Sequence, residues 1–118
     1  MDRYKFRMAR LNAVDMRIVE EALGSGSGYV ADFTNATFDA FFKRDVGVAI
    51  YDDAYSAHGS SKGKRLRAFL EEGSDDEALR ALLGLRDYVA RTGWKPDWQS
   101  PGERSALWEK YEDLTRRL

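Results

Sequence analysis

The chain has 118 residues, which is enough for one domain and too few for two of ordinary size. Its composition, 43% hydrophobic and 33% charged, is typical of a globular domain and not of a disordered chain. The formal net charge of −1 excludes the overall positive field expected of a general duplex-binding protein. We therefore expect a single folded domain over residues 1–118.

Two residue types limit the chemistry of the chain. There is no cysteine, which excludes disulfides, thiolate catalysis and zinc or iron–sulfur sites built on cysteine. There is one histidine, His58, and one histidine cannot form a two-histidine metal site. We therefore expect no cofactor, no metal and no enzymatic activity. The lack of cysteine also agrees with a reducing, cytoplasmic compartment.

The hydrophobicity of the chain predicts no membrane span, because no run approaches about 18 consecutive apolar residues. The N-terminal stretch carries Arg3, Lys5, Arg7 and Arg10 but has no apolar core, so it is not a secretory signal. We interpret this stretch as a solvated basic strand or loop, with a transit peptide as the alternative.

The first half of the chain predicts two helices. One covers residues 13–23 after an Asn12 N-cap, and the other covers residues 35–45 after a cap at Thr34 or Asn35. The expected buried faces are Val14, Ile18 and Ala22 in the first helix and Phe38, Phe41 and Phe42 in the second. The short apolar runs 29–33 and 48–51 are ambiguous, and a minimal two-strand ribbon formed by them stays open.

The second half predicts three helices, from 61 or 62 to 72 after a cap at Ser60 or Ser61, from 75 to a stop at Gly93, and from 101 onward. Ser74 and Ser100 are each followed three residues later by glutamate, which is the pattern of a capping box. The expected buried face of the fourth helix is Leu79, Leu82, Leu83, Arg86 (stem only) and Val89. Gly84 inside the fourth helix indicates a close helix crossing. The expected fold is all-α, with about five helices around one core. Residues 13–93 would form a four-helix body, and residues 94–118 a tryptophan-containing loop and a C-terminal helix.

The most suggestive candidate site is the start of the third helix. Its candidate anion- or partner-binding residues are Ser60, Ser61, Lys62, Lys64, Arg65 and Arg67. A helix N-terminus favours anions, so four cations there stand at the unfavourable end of the dipole, at a cost of roughly 0.3–1 kcal/mol each when exposed. This misplacement indicates a bound anion or an acidic partner. The alternative is a solvated basic turn that pairs with nearby acids, and the spacing does not match a Walker A loop.

Other constellations are weaker. His58 lies near Asp52 and Asp53 in the sequence, so an acid–base pair or a Mg²⁺ site is conceivable, but a structural loop histidine is the simpler interpretation. Trp94, Trp98 and Trp108 are expected to seal the last helix onto the core, with an exposed partner-binding patch as the alternative.

Two stretches are similar to a known family. Residues 28–42 read GYVADFTNATFDAFF and resemble the GYV-x-[DN]-F-[ST]-[ND]-x-T-F-x-x-F-F segment of AbiJ-type N-terminal domains. Residues 59–70 read GSSKGKRLRAFL and resemble the G-x-SK-x-x-RLR-x-F segment of the same family. The resemblance covers roughly residues 18–89.

The resemblance implies an accessory module of a bacterial abortive-infection, or anti-phage, protein. Such modules sit ahead of an effector, commonly a HEPN-type ribonuclease, and sense or recruit. The ribonuclease motif places an arginine a few residues ahead of a histidine, and no arginine stands there before His58. The resemblance therefore implies recognition without catalytic residues.

Three functions follow from these observations. The first is a non-enzymatic recognition or adaptor module with a protein partner or effector domain. The second is a small nucleic-acid- or nucleotide-binding regulator that uses the basic segment 59–67. The third is a small hydrolase centred on His58. We expect no membrane partner, and homo-oligomerisation stays open.

Overall fold

The computed structural model describes residues 11–118, and the basic N-terminal stretch considered above lies outside that range. The described residues form five α-helices. They are α1 (Ala13–Leu23), α2 (Asn35–Phe41), α3 (Lys62–Glu72), α4 (Asp75–Thr92) and α5 (Pro101–Arg116). The expected all-α fold with about five helices is confirmed.

Local capping explains where each helix begins. The N-caps are Asn12, Thr34, Ser61, Ser74 and Ser100. Four of the five helices have reciprocal capping boxes, in which the residue three positions later bonds back to the backbone of the cap. Helix α3 is the exception, because Lys64 stands at that position and an ammonium cannot accept the backbone proton.

An aromatic cluster fills the core on the α2 side. The expected phenylalanine face is confirmed, since Phe38, Phe41 and Phe42 are at most 3% exposed. Phe42 contacts Phe69 of α3 edge to face, with ring centroids 5.1 Å apart. Helix α5 packs mainly against α1, and the buried hydroxyl of Tyr111 donates to the carbonyl of Leu82 in α4 at 2.6 Å.

The glycine of α4 marks the close approach predicted from the sequence. A Cβ atom at Gly84 would lie 2.8 Å from the ring of Phe41, so only a glycine lets α2 and α4 come this near. No helix within residues 11–118 combines the length and the apolar character that crossing a bilayer requires.

Two backbone details differ from the sequence-based expectations. No strand forms in residues 11–118, because the backbone of both short apolar runs is engaged in local turns: Phe33 N–H donates to Val30 O, and Asp52 N–H to Ala49 O. The second helix changes to a π-helical turn over Phe42–Val46.

Two side chains expected on buried faces are exposed. Val14 is 66% exposed, because the buried face of α1 passes one residue further on, through Asp15, Val19, Ala22 and Leu23. On α4, the buried row through Leu82, Leu85 and Val89 leaves Leu83 on the opposite side, at 51% exposure.

Candidate functional site

Segments 28–42 and 59–70 contact each other at the start of α3. The backbone N–H of Gly63 donates to the carbonyl of Gly28 at 2.9 Å. A Cβ atom at Gly63 would lie 2.4 Å from the carbonyl oxygen of Ser25, closer than real Cβ contacts come. The loop at residues 24–28 therefore rests directly on the first turn of α3, and the absence of a side chain at Gly63 makes this contact possible.

Lys62, the first of the four cations, is turned inward. It is 9% exposed, and its ammonium donates to Asn35 Oδ1 at 3.2 Å. The same oxygen accepts from the hydroxyl of Tyr51 at 3.0 Å. The Lys62 ammonium also lies 5.2 Å from the centroid of the Tyr29 ring, within cation–π range.

Arg65 is also turned inward and 9% exposed. One terminal nitrogen, Nη1, donates to the carbonyls of Ile50 and Asp52 at 3.1 and 3.0 Å. Nε donates to the carbonyl of Ser60 at 3.3 Å, and the guanidinium lies 5.0 Å from the centroid of the Tyr51 ring. Arg65 thus holds the segment from Ile50 to Ser60 against α3, and its charge faces backbone oxygens of the fold instead of solvent.

Lys64 and Arg67 are the two cations that face outward. Arg67 Nε pairs with Glu71 Oε2 at 3.2 Å, and His58 Nε2 lies 2.6 Å from the other oxygen of Glu71. The hydrogen bond from His58, together with Arg67, lowers the pKa of Glu71 against the opposing effect of its partial burial. His58 thus pairs with Glu71, and not with Asp52 or Asp53.

The backbone donors of this helix start are largely used within the fold. Gly63 N–H bonds to Gly28, and Lys64 N–H bonds to the hydroxyl of Ser61 at 3.2 Å. Ser60 is exposed, and its carbonyl accepts from Arg65. Any anion at this surface would therefore be held mainly by side chains.

An open cavity of about 550 Å³ lies between the loop at residues 24–28 and the start of α3. Its walls are formed by Glu20, Ser25, Gly26, Ser27, Gly28, His58, Ser61, Gly63, Lys64 and Arg67. Three of the six residues predicted from the sequence, namely Ser61, Lys64 and Arg67, therefore share one cavity. Lys62 and Arg65 are engaged elsewhere in the fold.

Ser25 is a cavity residue that the sequence analysis did not identify. It is 6% exposed, and its hydroxyl has no hydrogen-bond partner among residues 11–118. The pattern Gly-Ser-Gly-Ser-Gly predicts a flexible loop, but residues Ser25–Ser27 form a 3₁₀ turn. The contact with Gly63, from a distant part of the sequence, brings Ser25 against the first turn of α3.

The other sequence-based candidates occupy separate places. Asp52 caps the backbone N–H of Ala54 at 2.9 Å, and no group of three or more His, Asp or Glu side chains in the described part of the chain could hold a metal ion. Trp108 is 8% exposed with Arg86 stacked on it at 4.5 Å, whereas Trp98 is 65% exposed. The three tryptophans therefore do not together cover the hydrophobic core.

Comparison of the chain with protein-family models, with curated proteins and with solved structures gives no match.

Proposed function

We propose that this protein is a non-enzymatic recognition module of a bacterial phage-defence system, acting in the cytoplasm. Its exposed basic surface, formed by Lys64 and Arg67 beside the cavity, would bind a partner or ligand and thereby recruit or regulate an effector. The effector would be another polypeptide or another domain.

One observation carries this proposal. The two segments that resemble AbiJ-type domains, residues 28–42 and 59–70, meet through Gly28–Gly63 and Asn35–Lys62. Where these segments meet, Lys64 and Arg67 are exposed to solvent and line one cavity. Lys64 lies in the first turn of α3, where the helix dipole disfavours a cation, and this placement supports a bound negative group at the surface.

The second candidate function is a regulator that binds a nucleotide or nucleic acid at the same surface. The net charge of −1 argues against binding of extended duplexes, because duplex affinity depends on neutralising several phosphates. The cavity with the buried hydroxyl of Ser25 argues for a small phosphate-bearing ligand instead.

The test of the recognition role uses the intact gene in a bacterial host that is challenged with phages. The wild type is compared with the double variant Lys64→Glu/Arg67→Glu and with the control Arg91→Glu/Lys110→Glu, which reverses one exposed arginine and one exposed lysine on α4 and α5. We expect the first double variant to lose both phage protection and co-purification of the effector, and the control to keep both.

Circular dichroism and thermal unfolding would establish that both double variants are folded. Full protection by Lys64→Glu/Arg67→Glu would place the recognition surface elsewhere. An absence of protection by the wild type against every phage tested would contradict the role in defence.

A further inference from the structure

We infer that the cavity between the loop at residues 24–28 and α3 binds the phosphate group of a small, hydroxyl-bearing phosphomonoester, such as a nucleoside monophosphate. This inference rests on the proposed function, because it uses the same surface, and it names the class of ligand. It is carried by four properties of the cavity, namely its buried hydroxyl, its unengaged cations, its carboxylate and its size.

The buried hydroxyl is the strongest of these. Polar groups removed from water in folded proteins almost always have a hydrogen-bond partner. Ser25 lines the cavity and is 6% exposed, and its hydroxyl has no partner among the described residues, whereas the neighbouring Ser27 hydroxyl donates to the carbonyl of Gly24 at 3.0 Å. A ligand oxygen in the cavity would accept a hydrogen bond from the Ser25 hydroxyl and so supply the missing partner.

The cations of the cavity retain free donors. The Lys64 ammonium has no hydrogen bond or ion pair within residues 11–118. Within residues 11–118 Arg67 bonds to Glu71 through Nε alone, so neither terminal nitrogen has a partner there and both can make a fork-like contact with a phosphate. The bond that Arg67 makes is an exposed i,i+4 pair, which is a weak interaction that a ligand can readily replace.

The Lys64 side chain lies over Gly59. A Cβ atom at Gly59 would lie 2.6 Å from Lys64 Cδ and 3.3 Å from Nζ, so the missing side chain of the glycine leaves room for the lysine stem on this side of the cavity. Ser61 adds a hydroxyl that accepts from Lys64 N–H and retains its own proton for donation.

Glu20 on the cavity wall limits the number of negative charges in the ligand. Its carboxylate would repel a second anionic group and accept hydrogen bonds from neutral hydroxyls. The volume of about 550 Å³ lies in the range of small-molecule sites, roughly 300–1,000 Å³. A monophosphate with a sugar-like body fits this combination of charges better than a polyphosphate or an extended nucleic acid.

The test is a titration of the ¹⁵N-labelled protein with inorganic phosphate, 5′-AMP, ATP and adenosine, followed by amide NMR and calorimetry. We expect phosphate and 5′-AMP to shift the amides of residues 24–28 and 59–64, 5′-AMP to bind more tightly than ATP, and adenosine to shift nothing. Ser25→Ala and Arg67→Gln should each weaken 5′-AMP binding by about tenfold, because each removes a hydrogen bond to a charged group.

Two matched controls separate a binding role from a structural one. Arg91 forms an exposed i,i+4 pair with Asp87 as Arg67 does with Glu71, so Arg91→Gln should leave 5′-AMP binding unchanged. Ser105 is exposed on α5, and Ser105→Ala should also have no effect on binding. Without ligand, Ser25→Ala should unfold at the same temperature as the wild type or higher, since it removes a buried hydroxyl that lacks a partner.

The inference is wrong if millimolar phosphate and 5′-AMP shift no amide near the cavity, or if Ser25→Ala binds 5′-AMP as tightly as the wild type. If this titration fails while Lys64→Glu/Arg67→Glu still loses its partner, the recognition role stands and the ligand is a protein. If 5′-AMP binds as expected while that double variant keeps full protection, the cavity is a phosphate site and the proposed recognition surface is wrong.

Discussion

Asn35 Oδ1 accepts hydrogen bonds from both Lys62 Nζ and Tyr51 OH, and so joins three segments that are distant in the sequence. We expect Asn35→Ala to lower the free energy of unfolding by about 1–2 kcal/mol, because two donors lose their acceptor and one belongs to a buried ammonium. Asn35→Asp keeps the acceptor, adds a carboxylate beside Lys62 and places it in the first turn of α2, so it should match or exceed the wild-type stability. Urea denaturation measures the free energy of unfolding of both variants. Equal destabilisation by the two would show that Asn35 Oδ1, as an acceptor, does not stabilise the fold.

A second prediction concerns pH and the ion pair between Arg117 and Asp15, in which Arg117 Nη2 lies 2.5 Å from Asp15 Oδ1. Burial alone would raise the pKa of Asp15, but its bonds with Arg117 and with the backbone of Asn12 outweigh burial and lower it. A carboxyl with a lowered pKa in the folded state contributes stability above its unfolded pKa of about 3.8, and this contribution is lost as the pH falls through the folded value.

Asp15→Asn should therefore cost about 1–2 kcal/mol at pH 7, and the difference from the wild type should shrink as the pH falls below about 4. Denaturant titrations of the wild type and Asp15→Asn between pH 7 and pH 2.5 measure this difference in the free energy of unfolding. Asp87→Asn, which alters an exposed pair, serves as the control and should give nearly parallel curves. A pH-independent difference for Asp15→Asn would contradict the contribution of the ion pair.

The contact between the loop at residues 24–28 and α3 gives a third prediction. Gly63→Ala places a methyl group against the carbonyl of Ser25, so it should destabilise the protein by about 1–3 kcal/mol and disturb the cavity. Gly102→Ala is the matched control, because this glycine also lies in a helix and its Cβ would meet nothing within 4 Å. The control should be neutral or slightly stabilising through helix propensity. Gly63→Ala with wild-type stability would mean that the loop moves away from α3 without cost.

The fourth prediction concerns activity. The purified protein should not cleave labelled RNA or DNA and should not hydrolyse ATP, with or without Mg²⁺. Nuclease chemistry needs a metal or a paired acid and base near the scissile phosphate, and no group of three or more His, Asp or Glu side chains among residues 11–118 could hold a metal ion. His58 is the single histidine and is hydrogen-bonded to Glu71, so it is the residue whose removal tests this prediction. The assay compares the wild type with His58→Ala. Turnover by the wild type that disappears in His58→Ala would replace the recognition role with a hydrolase.

The helix starts were predictable from the sequence because capping is a local interaction. Each cap and its partner lie three residues apart, as in Ser74–Glu77 and Ser100–Glu103, so no tertiary contact is needed to define the first turn. The phenylalanine face of α2 was predictable for a similar reason, since helical periodicity places Phe38, Phe41 and Phe42 together. The buried faces of α1 and α4 were predicted less well, because both helices carry more apolar residues than their neighbours cover.

The candidate site was predictable only in outline. The sequence identified the basic start of α3, but the direction of each cation depends on acceptors supplied from elsewhere in the chain. Arg65 turns inward because the carbonyls of Ile50 and Asp52 lie within its reach, whereas Lys64 has no such acceptor in residues 11–118 and lies at the surface.

The sequence by itself determined the all-α class, the helix starts and the concentration of positive charge at one helix terminus, because these follow from interactions over three or four residues. The tertiary structure alone decided that Ser25 is buried, with no hydrogen-bond partner for its hydroxyl in the described part of the chain, and that it shares a cavity with Lys64 and Arg67. The physical reason is the close approach of Ser25 to Gly63: it joins residues 38 positions apart and depends on the space left by a missing side chain, which no local pattern records.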